Sequence, residues 1–260
     1  MRTLRTFTSL AVAFGTLVAL SGSASAQEKG MGAFGEKGRI ILSADRLMTL
    51  FSYVSVSRTD EVQTGPNQTV TTEVKTSGPA LSLLMGGNIP RENVHTIPRV
   101  SLDYTVIPQL TVGGSIAVAF GLGGKEETKA GNVTTSVDAP STTVFGFAPR
   151  VGYILDLNDS FAFWPRGGFG VYFVSATSDR LNNNATVTTT DTTSFFSLDL
   201  DPQFVFTPFP HFGINAGPLV NIPLLGSVKH TTESGGTTTT RTTDSKTFQL
   251  GITAGILGWF

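Results

Sequence analysis

The sequence predicts an all-β chain, an eight-stranded antiparallel up-and-down transmembrane β-barrel, and three observations predict it. The last segment, KTFQLGITAGILGWF, alternates with the two-residue period of a strand. Phe248, Leu250, Ile252, Ala254, Ile256, Gly258 and Phe260 fall on one face; Thr247, Gln249, Gly251, Thr253, Gly255, Leu257 and Trp259 fall on the other. Similar segments recur along the chain, joined alternately by short turns and long polar runs. Finally, charged residues are only 14% of the 260, with 19 Phe and 29 Gly, against about 25% charged in soluble domains.

The same composition narrows function. A formal net charge of −1 gives no electrostatic pull toward nucleic acid. With no cysteine in the sequence, disulfide, zinc-thiolate and thiol chemistry are excluded.

Arg2 and Arg5 precede an apolar stretch from Leu10 to Leu20, and small residues follow, ending Ala24-Ser25-Ala26. This is the three-part layout of a secretory signal peptide over 1–26, cleaved after Ala26. The apolar stretch is too short to cross a ~30 Å hydrocarbon core, which needs about 20 residues. Residues 27–38, polar and Gly-rich, read as a flexible periplasmic lead-in, and 39–260 as the barrel.

The first strand starts at Arg39, where Ile40, Leu42 and Ala44 alternate until Asp45-Arg46 breaks the register; a β-bulge near Asp45 would restore it. Residues 59–95 read as a large loop with a small folded insert, or as a strand extension. Val100, Leu102, Tyr104 and Val106 then alternate with Arg99, Ser101, Asp103 and Thr105, and a turn at Ile107-Pro108-Gln109 follows. Leu110, Val112, Ile116, Val118 and Phe120 form the next apolar face, before a loop at 121–141. Phe145, Phe147, Val151 and Tyr153 oppose Gly146, Ala148, Arg150 and Gly152.

A tight turn at 156–159 leads to Phe161, Phe163, Phe169, Val171 and Phe173, opposed by Ala162, Trp164, Arg166, Gly168 and Gly170. After a Thr/Asn loop at 178–192, Phe196, Leu198, Leu200, Phe204 and Phe206 oppose Ser197, Asp199, Asp201 and Gln203. A turn at Pro208-Phe209-Pro210 precedes Phe212, Ile214, Ala216, Val220 and Ile222, and a Thr-rich loop at 227–245 precedes the closing strand. Short turns on one side and long loops on the other are the pattern of a membrane barrel, and an even strand count lets first and last strands pair.

The opposite face decides which side meets lipid. A soluble barrel needs a charged exterior, whereas here the second face is mostly Gly, Ala, Ser and Thr, side chains that a narrow lumen can hold. The bulky face therefore points outward. Aromatics near both ends of that face match interface girdles.

By parity Arg99, Asp103, Arg150, Arg166, Asp199 and Asp201 face the lumen, with Asp45, and Arg46 beside it, joining them through the bulge. Eight strands enclose only enough space for side chains to fill, so these charges are expected to pair as a structural plug rather than line a conduction path. Asp199 and Asp201 share a face, but with arginines opposite they read as guanidinium partners and not as cation ligands. Neither cofactor nor metal is expected.

Signal peptide, alternation, loop asymmetry and the terminal TAGILGWF make the chain resemble the small eight-stranded outer-membrane barrels, the outer membrane protein A/X-like group. The resemblance implies residence in the cell outer membrane among lipid and lipopolysaccharide. It also implies recognition of Ile256, Gly258, Trp259 and Phe260 by the barrel-assembly machinery. A monomer with a structural or surface-interaction role is expected; a narrow low-conductance pore is the alternative.

Some outer-membrane barrels instead modify lipid A acyl chains, or cut peptides, with His, Ser and a carboxylate near the outer rim. The histidines here are His95 and His230 on the loop side and His211 at a turn. No spacing matches a nucleophile to its base, so no catalytic residue is assigned. Geometry discriminates: the enzyme reading needs a His within hydrogen-bond reach of both a Ser and a carboxylate. The Thr-rich loops read as solvated surface with β-propensity enough to extend the strands.

Overall fold

The computed structural model describes residues 34–65, 68–80, 97–121, 124–130, 133–182 and 185–260. The proposed signal peptide and the start of the lead-in lie outside the described residues, as do His95 and most of 81–96.

The strands are β1 (Ile40–Gly65), β2 (Gln68–Ala80), β3 (Arg99–Ile107), β4 (Leu110–Gly121), β5 (Lys125–Ala130), β6 (Val133–Asp138), β7 (Ser141–Tyr153), β8 (Leu155–Asp156), β9 (Phe161–Asn182), β10 (Ala185–Phe209), β11 (Phe212–Ser234) and β12 (Thr237–Trp259). Eight of them, β1, β3, β4, β7, β9, β10, β11 and β12, pair antiparallel in that order, and β12 returns to β1. At the seam Ile40 N donates to the Phe260 carbonyl at 3.1 Å and Phe260 N to that of Ile40 at 3.0 Å. No edge of the ring is left open, which is the condition for strands to stand in hydrocarbon.

Side-chain parity follows the alternation. Val100 is 71% exposed and Phe260 67%, while Arg166 is 3% and Gln249 0% exposed. Val112, Ile116, Phe145, Phe147, Phe169, Phe173, Phe204, Ile214, Leu250, Ile252 and Ile256 all face outward. A continuous apolar belt of this extent is incompatible with a water-facing barrel, and it makes this a transmembrane barrel. Outward rings stack across strands, as in Phe161 with Phe206 at 4.8 Å and Phe169 with Phe196 at 5.6 Å between centroids.

The turn-side connections are tight. Ile107 pairs with Leu110 and Phe209 with Phe212, so each turn is a Pro followed by a left-handed residue, Gln109 (φ 71°) and His211 (φ 64°). That is the order of a type II turn. The second turn is therefore Pro210-His211, two residues beyond the expected centre, because β10 carries Pro208 and Phe209 as its own last residues. Between β8 and β9, Asn158 Oδ1 accepts the amides of Ser160 and Phe161, both at 2.9 Å.

On the other side, three expected loops are strand. Residues 178–192 continue β9 and β10, with Asp179 opposite Thr188. Residues 227–245 continue β11 and β12 up to a two-residue turn at Gly235 (φ 56°) and Gly236 (φ 80°), where both positions need the left-handed freedom of glycine. Residues 121–141 contain the separate hairpin β5–β6, and the described part of 59–80 is a strand extension, as a β1–β2 hairpin, while 81–95 lies outside the described residues. Strands β9 to β12 run 22 to 25 residues. At ~3.4 Å per residue and ~45° tilt, such a strand rises roughly 55 Å, about twice the height of a ~25 Å apolar band.

One further expectation is corrected. Residues 34–38, expected to belong to a flexible lead-in, fold under the barrel: Gly38 N donates to the Thr105 carbonyl and Gln109 N to that of Gly35, both at 2.8 Å. Phe34 fills the turn-side end of the lumen, its ring 5.5 Å from Trp164 and 5.2 Å from Trp259. Burial of one aromatic ring outweighs the entropy of ordering a short strap.

Candidate functional site: a charge layer inside the barrel

The interior is built in three layers, readable along single strands. Descending β7, Val144 is followed inward by Gly146, Ala148 and Arg150, with Ile154 just beyond the strand; descending β10, Phe195 is followed by Ser197, Asp199, Asp201, Gln203 and Val205. Val144 and Phe195 belong to an apolar cluster with Ile97, Ala117, Tyr172 and Val174. Ile154 and Val205 belong to another with Phe34, Ile41, Ala162, Trp164, Leu257 and Trp259. Between the two lies the charge.

The bulge in β1 creates this layer's centre. Ala44 pairs with Ile256 and Met48 with Ala254, so three residues of β1 face a single residue, Gly255, of β12. Arg46 takes a left-handed backbone (φ 58°), and the parity break turns both Asp45 and Arg46 inward, where they are 1% and 2% exposed. A side chain at Gly255 would not fit: its Cβ would lie 2.8 Å from Asn215 Oδ1 and 3.2 Å from Asp45 Cα.

All seven expected lumen residues are buried, and they form two linked groups. Arg150 donates from Nε to Asp103 Oδ1 at 3.0 Å, from Nη2 to Asp103 Oδ2, and from Nη1 to Asp45 Oδ2. Arg166 bridges Asp45 Oδ1 at 3.1 Å and Asp201 Oδ2 at 2.7 Å. Arg99 reaches Asp199 at 3.3 Å. Every carboxylate oxygen of these four aspartates accepts at least one bond, with Ser101, Ser197, Gln203 and Tyr172 completing the set. Arg99, Arg150, Arg166 and Arg46 balance Asp45, Asp103, Asp199 and Asp201 in number, so no formal charge is left over in a low-dielectric interior.

Of the aromatic members, parity in the sequence places Trp164 on the inward face without a role, and leaves Tyr172, two positions beyond Gly170 on the same face, unnamed. Arg99 lies over the Tyr172 ring at 5.1 Å, and Arg166 over Trp164 at 4.6 Å. Glycines make room for them. A Cβ at Gly146 or at Gly170 would lie 2.6 Å from Tyr172 ring carbons, and one at Gly152 would meet the Trp164 indole nitrogen.

The rim histidine has a defined setting as well. On the inward face above the membrane belt, His230 Nδ1 bonds Asp191 Oδ1, and Nε2 lies 3.2 Å from Thr232 Oγ1. Asp191 is buried and His230 exposed. His211, in contrast, sits at a turn with Nδ1 2.9 Å from the Trp259 carbonyl. Asp199 and Asp201 are bound by arginine, and among the described residues no group of three metal-ligating side chains occurs.

No family model and no curated protein matches this chain. Among solved structures it is similar to Ail, the attachment invasion locus protein of Yersinia pestis (14% identity, 85% of this chain and 99% of that one, TM-score 0.31). It is also similar to the outer membrane protein OprG of Pseudomonas aeruginosa (13%, 86% and 97%, TM-score 0.43). A third likeness is to the outer membrane protease OmpT of Escherichia coli (8%, 85% and 97%, TM-score 0.39). At these identities and TM-scores the likenesses carry no functional inference; the barrel assignment rests on the strand pairing itself.

Proposed function

We propose that this chain is an exported, monomeric outer-membrane barrel with a sealed interior, serving a structural or surface-interaction role. The observation that carries this reading is the layered lumen: apolar caps above and below a charge-balanced arginine–aspartate layer. A conducting path would need a continuous wet column, and here Arg99, Arg150 and Arg166 are ion-paired to aspartates between the two apolar clusters. In the same reading residues 1–26 are a signal peptide removed on export. Ile256, Gly258, Trp259 and Phe260, on the strand that closes the ring, are read by the assembly machinery.

The surface role draws on the tall hairpins. Above the belt, Thr177, Thr190, Thr231 and Thr240 stand in register across four strands, with hydroxyls 3.3 Å apart in the first pair. Such a face offers hydroxyl donors and acceptors to lipopolysaccharide and to the cell's surroundings. Deleting the gene tests the role: increased detergent sensitivity or lost surface adhesion supports it, and unchanged behaviour in both contradicts it. A liposome-swelling assay tests the seal, with no solute-dependent swelling expected.

A second reading, a rim hydrolase, has one observation in its favour: the hydroxyl–imidazole–carboxylate order of Thr232, His230 and Asp191, with a threonine in place of the expected serine. Against it, β11 is paired on both sides here, to β10 and to β12. Its amides are thereby committed to the sheet, and none is free to stabilise an oxyanion.

A further inference from the structure

The charge layer is balanced in charge but not in hydrogen bonding. All eight oxygens of Asp45, Asp103, Asp199 and Asp201 already accept bonds, Asp45 Oδ2 and Asp199 Oδ2 more than one. Donors remain. Arg99 Nε, Arg166 Nε and the Ser115 hydroxyl are buried, and no acceptor among the described residues reaches them. Their residues are 4%, 3% and 1% exposed. These three side chains line one cavity, together with Arg46, Arg150, Asp199 and Asp201. The cavity wall therefore carries four guanidinium groups against two carboxylates, and has room for roughly one water-sized or monatomic species.

Orphaned donors in a low-dielectric site cost several kcal/mol in principle, and two kinds of guest could satisfy them. Water brings two donors with its two acceptor positions, so it would add two O–H groups to a wall whose unmet groups are already donors. A monatomic anion brings acceptor capacity alone, and four of the six charged side chains that line the cavity are arginines. We propose that this cavity is a binding site for a single halide ion, chloride in the cell, held by Arg99, Arg166 and Ser115. The proposal rests on the reading of a closed, ion-paired interior, and makes that interior complete only when the ion is present.

The test uses the whole barrel refolded in detergent. Crystals grown in bromide should show an anomalous peak within hydrogen-bond distance of Arg99 and Arg166. Unfolding, followed by heat-modified gel mobility, should shift upward by about 2–4 °C in chloride relative to gluconate at equal ionic strength. Ser115→Asp, which places a carboxylate where the ion would sit, should abolish that difference and the broadening of the chloride-35 resonance. Should the variant fail to fold, the bromide crystal of the unaltered protein still decides. No anomalous peak, or equal unfolding in chloride and gluconate, overturns the proposal and leaves the cavity to water. A barrel silent in bilayers yet indifferent to halide would sink this inference alone, without touching the sealed-barrel reading.

Discussion

Arg150 and Asp103 meet side-on, guanidinium edge to carboxylate edge, from β7 and β3, two strands that are not neighbours in the ring. The clamp spans the intervening β4, so it ties the wall across a chord rather than along the sheet. Arg150 simultaneously holds Asp45, and one side chain thereby fixes three strands. Removing it strands the buried Asp103 carboxylate and leaves Asp45 to Arg166 and Ser101 alone.

Arg150→Ala is accordingly expected to cost about 3–5 kcal/mol. Lys229→Ala, on an exposed position of β11, should stay within about 0.5 kcal/mol. Urea titration of the folded, heat-modifiable species measures both. Equal midpoints would mean that the charge layer does not hold the barrel together.

Gly146→Val would drive a branched side chain into the Tyr172 ring, which a bare Cβ already approaches to 2.6 Å. Overpacking of this kind costs about 1–3 kcal/mol, and the yield of folded barrel should fall. Gly124→Ala is the control, because a Cβ there meets nothing within 4 Å. Comparable yields for the two variants would contradict the packed position assigned to Tyr172.

Much of this was legible beforehand, for a physical reason. Lipid on one side and a narrow lumen on the other impose opposite chemistry on successive residues, so alternation in 246–260 reports orientation directly. The same cause explains why 178–192 and 227–245 read as loops whose only strand signal was the β-propensity of Thr. Above the belt both faces meet water, the alternation vanishes, and a Thr-rich strand reads like a loop. Parity likewise placed Arg150 and Asp201 inside but could not say that Arg150 takes Asp103, a pair that reaches over β4, or that Arg166 and Asp201 stand directly opposite on β9 and β10, which requires the strand register as well. Phe34 left no periodic signal at all: it is a lone aromatic in a Gly-rich run, and only the Trp164–Trp259 socket gives it a place.

Phe34→Ala should therefore loosen the turn-side end. A buried Phe truncated to Ala costs about 3–5 kcal/mol when the site cannot collapse; here detachment of the strap limits the loss toward the lower end. Limited proteolysis should cut residues 34–38 in the variant and spare them in the unaltered barrel. Identical resistance would show that the ring does not anchor the strap.

His230→Ala separates the surface role from the rim hydrolase. Loss of the Asp191 contact at an exposed histidine should change stability by no more than about 1 kcal/mol, and ester or peptide hydrolysis by the purified barrel should be at background before and after. A measurable activity that disappears in His230→Ala and in Thr232→Val would establish the enzyme reading instead.

Whether packed and ion-paired side chains close the lumen is decided by single-channel recording in planar bilayers. Purified barrel, inserted and verified by its heat-modified mobility, is predicted to give a silent baseline, with no conductance steps across the applied voltage range. Reproducible, uniform steps that change in size with Arg150→Ala would contradict it, because ions would then be passing through the layer described here as sealed.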